Sequence, residues 1–294
     1  MNRFKYYALV MATTCLMGVA FPVGKMGLAY APPFLLMAVR FLLAGGALAL
    51  FAARKGTGGI RGERRWLKAA VIGLLQSAGV MGCAYYSMHW ISSGESAILT
   101  SAAPLLVIVL GSLLNGAAYR SRQWLGVAVG FAGVALTFGF HVGFVPGTYI
   151  GFAGAVCFAF ATLLVNRWGA GFDSTVLAAY QMLFGGVFLL LLSFLTEPLR
   201  FALSISSVVV LLWLAIMCSI VQFTLWFYLL RHSDPGKTSV FLFLVPVFGV
   251  LSSWLLLGEK VGGAVAAGAA LICFGIYLVN GGQRRRQPAG LQAG

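Results

Sequence analysis

Arg40 is the one basic residue well inside an apolar stretch, the run 33–52. At mid-membrane depth a cation costs about 2.5–3.5 kcal/mol on insertion scales, so it must face protein or water. A guanidinium is a planar fork that can grip a carboxylate with two parallel hydrogen bonds. Arg40 is therefore a fork for a substrate carboxylate, or an anchor between helices that pairs with Glu95 or with helix-end carbonyls. Ser219, Gln222 and Trp226 recur at i, i+3 and i+7 and so share one helical face. Gln76 stands in a second polar run, and Tyr86 and Tyr228 offer aromatic platforms. Tyr180, Gln181, Thr13 and Thr14 join them with less weight. Apolar walls with a few placed polar groups suit a small molecule with an apolar or aromatic body and a polar head. Pro104 and Pro246 each remove a helix hydrogen bond in the middle of an apolar run, which makes them candidate hinges.

Other chemistries find no residues to carry them. The sequence has no H-E-x-x-H, its three histidines are scattered, and no two acids meet at mid-membrane depth. Neither a metal site nor a catalytic constellation is expected, and no cofactor is implied. There is no P-loop, so ATP does not drive the protein. The five cysteines, an odd number, all fall in apolar runs and do not form a disulfide framework. Glu95 opens an apolar run beside Ser96, where an acid favourably meets the positive end of a helix dipole.

These residues need a scaffold, and composition says which. The chain has 294 residues, 61% hydrophobic and 9% charged, with mean hydropathy +0.95. A soluble domain carries about 25% charged residues, so a water-soluble enzyme and a nucleic-acid partner are both excluded. A membrane helix needs roughly 20 apolar residues. Ten stretches qualify: 6–24, 33–52, 67–87, 94–114, 123–140, 148–166, 175–195, 207–230, 237–257 and 262–280. The expected fold is thus an all-α polytopic membrane protein. Sixteen lysines and arginines lie on the side that holds both termini, while Lys25, Arg200 and Lys260 lie on the other. The positive-inside rule then puts both termini in the cytoplasm. The basic cluster from Arg61 to Lys68 and the tail Arg284, Arg285 and Arg286 face anionic lipid headgroups.

The chain repeats itself at an offset of 142 residues. Gly94 and Pro104 meet Gly236 and Pro246, Glu95 meets Lys237, and Ser96 meets Thr238. Gly116, Gly126 and Gly133 meet Gly258, Gly268 and Gly275, and Lys25 meets Arg167. A one-residue gap pairs Arg40 with Gln181. Residues 1–140 form one five-helix copy, and residues 141–294 form a second with a basic tail. Five is odd, so the second copy enters the membrane from the opposite face. Inverted repeats around a central site point to a secondary transporter that works by alternating access.

Arg40-Phe41-Leu42, the Gly94-x-Ser96 to Pro104 run, Gly236-x-Thr238 to Pro246, and Leu257-Gly258-Glu259 followed by Gly268 and Gly275 resemble the EamA-type members of the drug/metabolite transporter superfamily. The first copy departs from that pattern at Asn115-Gly116-Ala117, where the Gly-Glu of the second copy is absent. The resemblance implies ten helices in two inverted five-helix repeats and export of amino acids or related metabolites across the bacterial inner membrane. Partners are then a small-molecule substrate and membrane lipids, with no obligatory protein partner. The six acids lie in loops, at span ends or at the mouth of a span, so obligatory proton coupling is not expected. A flippase of a lipid-linked or amphiphilic substrate and a proton-coupled drug exporter are the alternatives. A lateral opening to lipid would mark the flippase.

Overall fold

The computed structural model describes residues 3–56, 60, 62–116, 119–137, 145–232 and 241–280. In lipid every backbone polar group must be satisfied internally, and the described residues comply with helices in sequence order. These are α1 (Arg3–Gly27), α2 (Pro33–Arg54), α3 (Glu63–Ser87) and α4 in two halves (Ser93–Ser101 and Ala103–Asn115). Then come α5 (Ser121–Thr137), α6 (Pro146–Trp168) and α7 (Ser174–Thr196). Next is α8, whose halves Ile205–Ala215 and Gln222–His232 flank a π-helical turn, followed by α9 (Leu244–Leu257) and α10 (Gly263–Asn280). Seven of these elements are long and apolar enough to cross a membrane. α5, α9 and α10 are shorter; α5 and α10 each adjoin residues outside the description, and so does the 3₁₀ turn that leads into α9. Gly236, Lys237, Thr238, Asp234, Ala117, Arg61, Arg284, Arg285 and Arg286 lie outside the described residues.

Polar side chains mark where helices start. Ser92 and Glu95 form a reciprocal capping box at the head of α4, so Glu95 has the capping role that its position suggests. Asp173 caps α7 by accepting from Thr175 N–H at 2.8 Å. Glu197, at the end of α7, accepts from Phe34 N–H and Leu35 N–H and so caps α2 from the other copy.

The prolines behave differently from a simple mid-span kink. Pro104 sits in the first turn of the second half of α4, just after the break at Ala102. Pro246 sits in the first turn of α9, after a 3₁₀ turn at Phe241–Phe243. First-turn N–H groups lack a partner in any helix, so proline costs little there. Both prolines therefore begin a helical segment rather than bend a continuous one.

The repeat governs the packing. α2 lies along α7 and α5 along α10, each helix against its own repeat mate. α1 packs on α9 as α6 packs on α4. At α5–α10 the contact is backbone on backbone. A Cβ on Gly126 would lie 2.7 Å from Gly275 O, and one on Gly275 would lie 2.6 Å from Gly126 O. Gly133 and Gly268 meet in the same way, at 2.8 and 2.6 Å. One apolar core, with Leu36, Met37, Phe41, Tyr85, Met182 and Leu214, ties α1, α2, α3, α7 and α8. A second, with Leu105, Ile108, Val127, Ile272 and Ile276, ties α4, α5 and α10.

Candidate functional site

Two helices lose their α register at matching places. α3 carries a π-helical turn at Leu74–Gly79, and α8 carries one at Ile216–Val221. The two stand the same 142 residues apart as the rest of the repeat. A π turn inserts one extra residue, shifts the hydrogen-bond ladder, and is frequent at functional sites. Within these turns lie Ser77 and its repeat mate Ser219, both buried.

Arg40, in α2, points its guanidinium into the α8 turn and is 2% exposed. Its Nε donates to Ser219 Oγ at 3.0 Å and its Nη2 to Cys218 O at 2.8 Å. Nη1 donates to Tyr85 Oη at 3.2 Å and lies 3.7 Å from Met37 Sδ. Tyr85 in turn donates to Ala20 O of α1, and Ser219 Oγ donates to Leu214 O. One guanidinium thus joins α1, α2, α3 and α8. Among the described residues no carboxylate lies within 4.0 Å of it. Arg40 does not pair with Glu95: Glu95 is held in its capping box, and Arg40 meets neutral oxygens instead. One of these is a main-chain carbonyl within a π turn, not at a helix end. The guanidinium of an arginine stays charged, and a low-dielectric interior screens that charge poorly.

The other sequence candidates fall into separate places. Gln222 is buried one residue beyond the π turn, and Trp226 is half-buried one turn further on. Gln76 is half-buried within the α3 turn. Gln181, buried on α7, backs onto α3: a Cβ on Gly73 would lie 2.5 Å from Gln181 O. The Arg40–Gln181 pairing of the repeat thus sets each residue's helix against the other copy's π-turn helix. Tyr86 is elsewhere, stacked on Phe34 at 5.0 Å and edge-on to His89 and Trp90. Tyr228 lies toward the far end of α8, with Lys5 Nζ 5.5 Å from its ring centre. Tyr180 meets Trp66 edge to face at 5.0 Å. These three tyrosines do not join Arg40. Tyr85 does, although Phe227 stands at its repeat position and so repeat matching does not single it out. The Thr13 hydroxyl of α1 is fully buried and has no hydrogen-bond partner among the described residues.

Grooves also mark the outer surface, and neither of two that flank α9 holds a residue of the Arg40 network. One of about 650 Å³ lies between α9 and α10, lined by Val250, Trp254, Val261 and Ala269 among others. One of about 500 Å³ lies between α1, α8 and α9, against Val19, Val23, Trp213 and Leu255. The polar network, not these grooves, is the candidate site.

Comparison with known proteins bears on the same arrangement. The EamA-like transporter family matches twice, at residues 4–139 and 145–281. The uncharacterized transporter YvbV of Bacillus subtilis is 28% identical over 97% of this chain and 94% of its own length. The uncharacterized inner membrane transporter YedA of Escherichia coli K12 is 28% identical over 94% of this chain and 91% of its own. A known crystal structure superposes with a TM-score of 0.69 at 22% identity, covering 92% of this chain and 96% of that one, which shows the fold.

Proposed function

The chain belongs to the EamA-like transporter family, and we propose that it moves zwitterionic or anionic small metabolites, amino acids among them, by alternating access. The observation that carries this reading is Arg40: a permanent cation, buried beside a π turn, hydrogen-bonded to neutral oxygens. Its uncompensated field disfavours cations in the centre and favours a ligand with a negative pole. Gln222 and Trp226, on the same helix beyond the π turn, and the buried Thr13 hydroxyl are assigned to the rest of the ligand.

The described acids support transport without obligatory proton coupling, by uniport or exchange. Glu95, Asp173 and Glu197 cap helix starts, Glu63 lies in the first turn of α3, and Glu259 lies in a loop. None of these carboxylates lies at mid-depth, where a proton and a substrate would compete for it. The lysine and arginine bias supports a cytoplasmic face at the start of α1, with export from there. Two copies, 1–140 and 141–294, are the bodies that rock.

Counterflow in proteoliposomes tests this. A labelled zwitterionic amino acid should exchange and a quaternary amine should not. Arg40→Met should abolish exchange while the protein still inserts. Accumulation driven by an imposed pH gradient, or unaltered exchange by Arg40→Met, would overturn the reading. A second reading, flipping of an amphiphile, draws support from the groove between α1, α8 and α9, which is lined mostly by valine and leucine. Scrambling of a labelled lipid by the same vesicles would favour it.

A further inference from the structure

At the end of the molecule where α1 finishes, one carboxylate sews the two copies together. Glu259 Oε1 accepts from Lys25 Nζ and from Ser93 N–H, both at 3.0 Å. Its Oε2 accepts from Ser93 Oγ at 2.9 Å and from Gly94 N–H at 3.2 Å. Lys25 Nζ also donates to Ile91 O at 3.3 Å. Ser93 Oγ lies 2.8 Å from Ser253 Oγ, which donates to Gly249 O at 2.6 Å. Lys25 belongs to α1, Ser93 and Gly94 to α4, and Ser253 to α9, so helices of both copies converge on this carboxylate. Below it the backbones are already close: a Cβ on Gly18 would lie 2.7 Å from Gly249 N.

The turn that aims Glu259 explains the Leu257-Gly258-Glu259 motif. Gly258 has φ +64°, the left-handed conformation that glycine adopts without a Cβ penalty at a helix end. The chain reverses there, and Glu259 N–H donates back to Ser253 O. The first copy keeps the turn, since Gly116 has φ +61°. At the 142-residue offset, however, Ala117 stands for Glu259 and Pro235 for Ser93. The counterpart of Lys25 is Arg167, which is exposed. An inverted repeat would give both faces the same closure, and here the sequence withholds the carboxylate from one of them.

We propose that Lys25, Glu259 and the head of α4 form a one-sided latch that holds the Lys25 face shut, so that the resting transporter opens at the opposite face, where α1 begins. Release of Glu259 from Ser93 and Gly94 is then the step that gives the site access to the Lys25 side. This rests on the alternating-access reading.

The test reads access, not transport. A Cβ at Gly94 would meet Val250 and Ser253 at ordinary contact distances of 3.5 and 3.6 Å, so Gly94→Cys fits the closed junction and keeps its N–H. In a background with the five native cysteines replaced by alanine, an impermeant maleimide is added from the Lys25 side without substrate. Labelling should be slow, and both Glu259→Gln and Lys25→Met should speed it about tenfold, the size expected for loss of a charge-assisted bond. Lys25→Arg should stay slow. Equal labelling rates in the parent and in a folded Glu259→Gln or Lys25→Met protein would overturn the latch. Because no substrate is present, a failed counterflow experiment leaves this result standing, and a failed labelling experiment leaves the transport reading standing.

Discussion

Tyr85→Phe removes one oxygen from the centre of the fold and keeps the ring. That oxygen accepts from Arg40 Nη1 and donates to Ala20 O. Its removal leaves a buried guanidinium N–H with Met37 Sδ at 3.7 Å as its remaining neighbour. A hydrogen bond to a charged group is worth about 1.5–3 kcal/mol, against about 0.6 kcal/mol for the average interhelical bond in a membrane. The buried charge here favours the upper scale, so Tyr85→Phe should cost about 2 kcal/mol. With Arg40→Met already in place there is no charge to orphan, and the same substitution should cost about 1 kcal/mol, the size of a neutral hydrogen bond. Arg40→Met by itself should be close to neutral, because it also relieves the cost of burying a cation. Unfolding of the four proteins in mixed micelles, titrated with a denaturing detergent and followed by tryptophan fluorescence, gives the coupling energy directly. A coupling within about 0.3 kcal/mol of zero, the scatter of independent sites, would refute the claim that Tyr85 holds the guanidinium.

Two further predictions concern the ends and the seam. Gly275→Leu drives a side chain into Gly126 O, 2.6 Å from its Cβ, and should cost at least about 3 kcal/mol. Size-exclusion profiles should show loss of the monodisperse peak, whereas Gly46→Ala, with nothing within 4 Å, should leave it intact. Burial alone would raise the Glu259 carboxyl, but the Ser93 N–H, the Lys25 ammonium and the Gly94 N–H outweigh it and hold its pKa below the ordinary value. Stability from this group is therefore complete above the unfolded-state pKa of about 4.3 and is lost as pH falls through the lower folded value. The stability gap between the parent and Glu259→Gln should be constant near pH 7 and shrink toward pH 3, and a gap that does not change with pH would refute the assignment.

Much of the architecture is legible in the residues. Hydropathy places the spans, and a shared offset exposes the two copies, because glycines such as Gly126 and its mate Gly268 recur where backbones must touch. The site is less legible for two physical reasons. A π turn is one residue of register slip, and nothing in the spacing of Ser219, Gln222 and Trp226 announces it. Repeat matching also favours Tyr86 because Tyr228 mirrors it, yet inversion sends mates to opposite faces unless they lie near the midplane. Ser77 and Ser219, or Arg40 and Gln181, satisfy that condition, and Tyr86 with Tyr228 does not. Tyr85 carries no repeat signal, and Lys25 with Glu259 are 234 residues apart, so no local pattern links them.

Side chains can hop between rotamers, so a contact made of them can slip by a notch and re-form. The seam between α5 and α10 has no such play, because at Gly126, Gly133, Gly268 and Gly275 one main chain rests directly on another. If the copies rock, this pair stays still, and displacement grows with distance from it, as at the rim of a wheel. The polar parts with partners to exchange, Arg40 with its ring of oxygens and Glu259 with its donors, lie on other helices. Rigidity is spent where the two copies mirror each other in glycine, and freedom is left where their sequences differ.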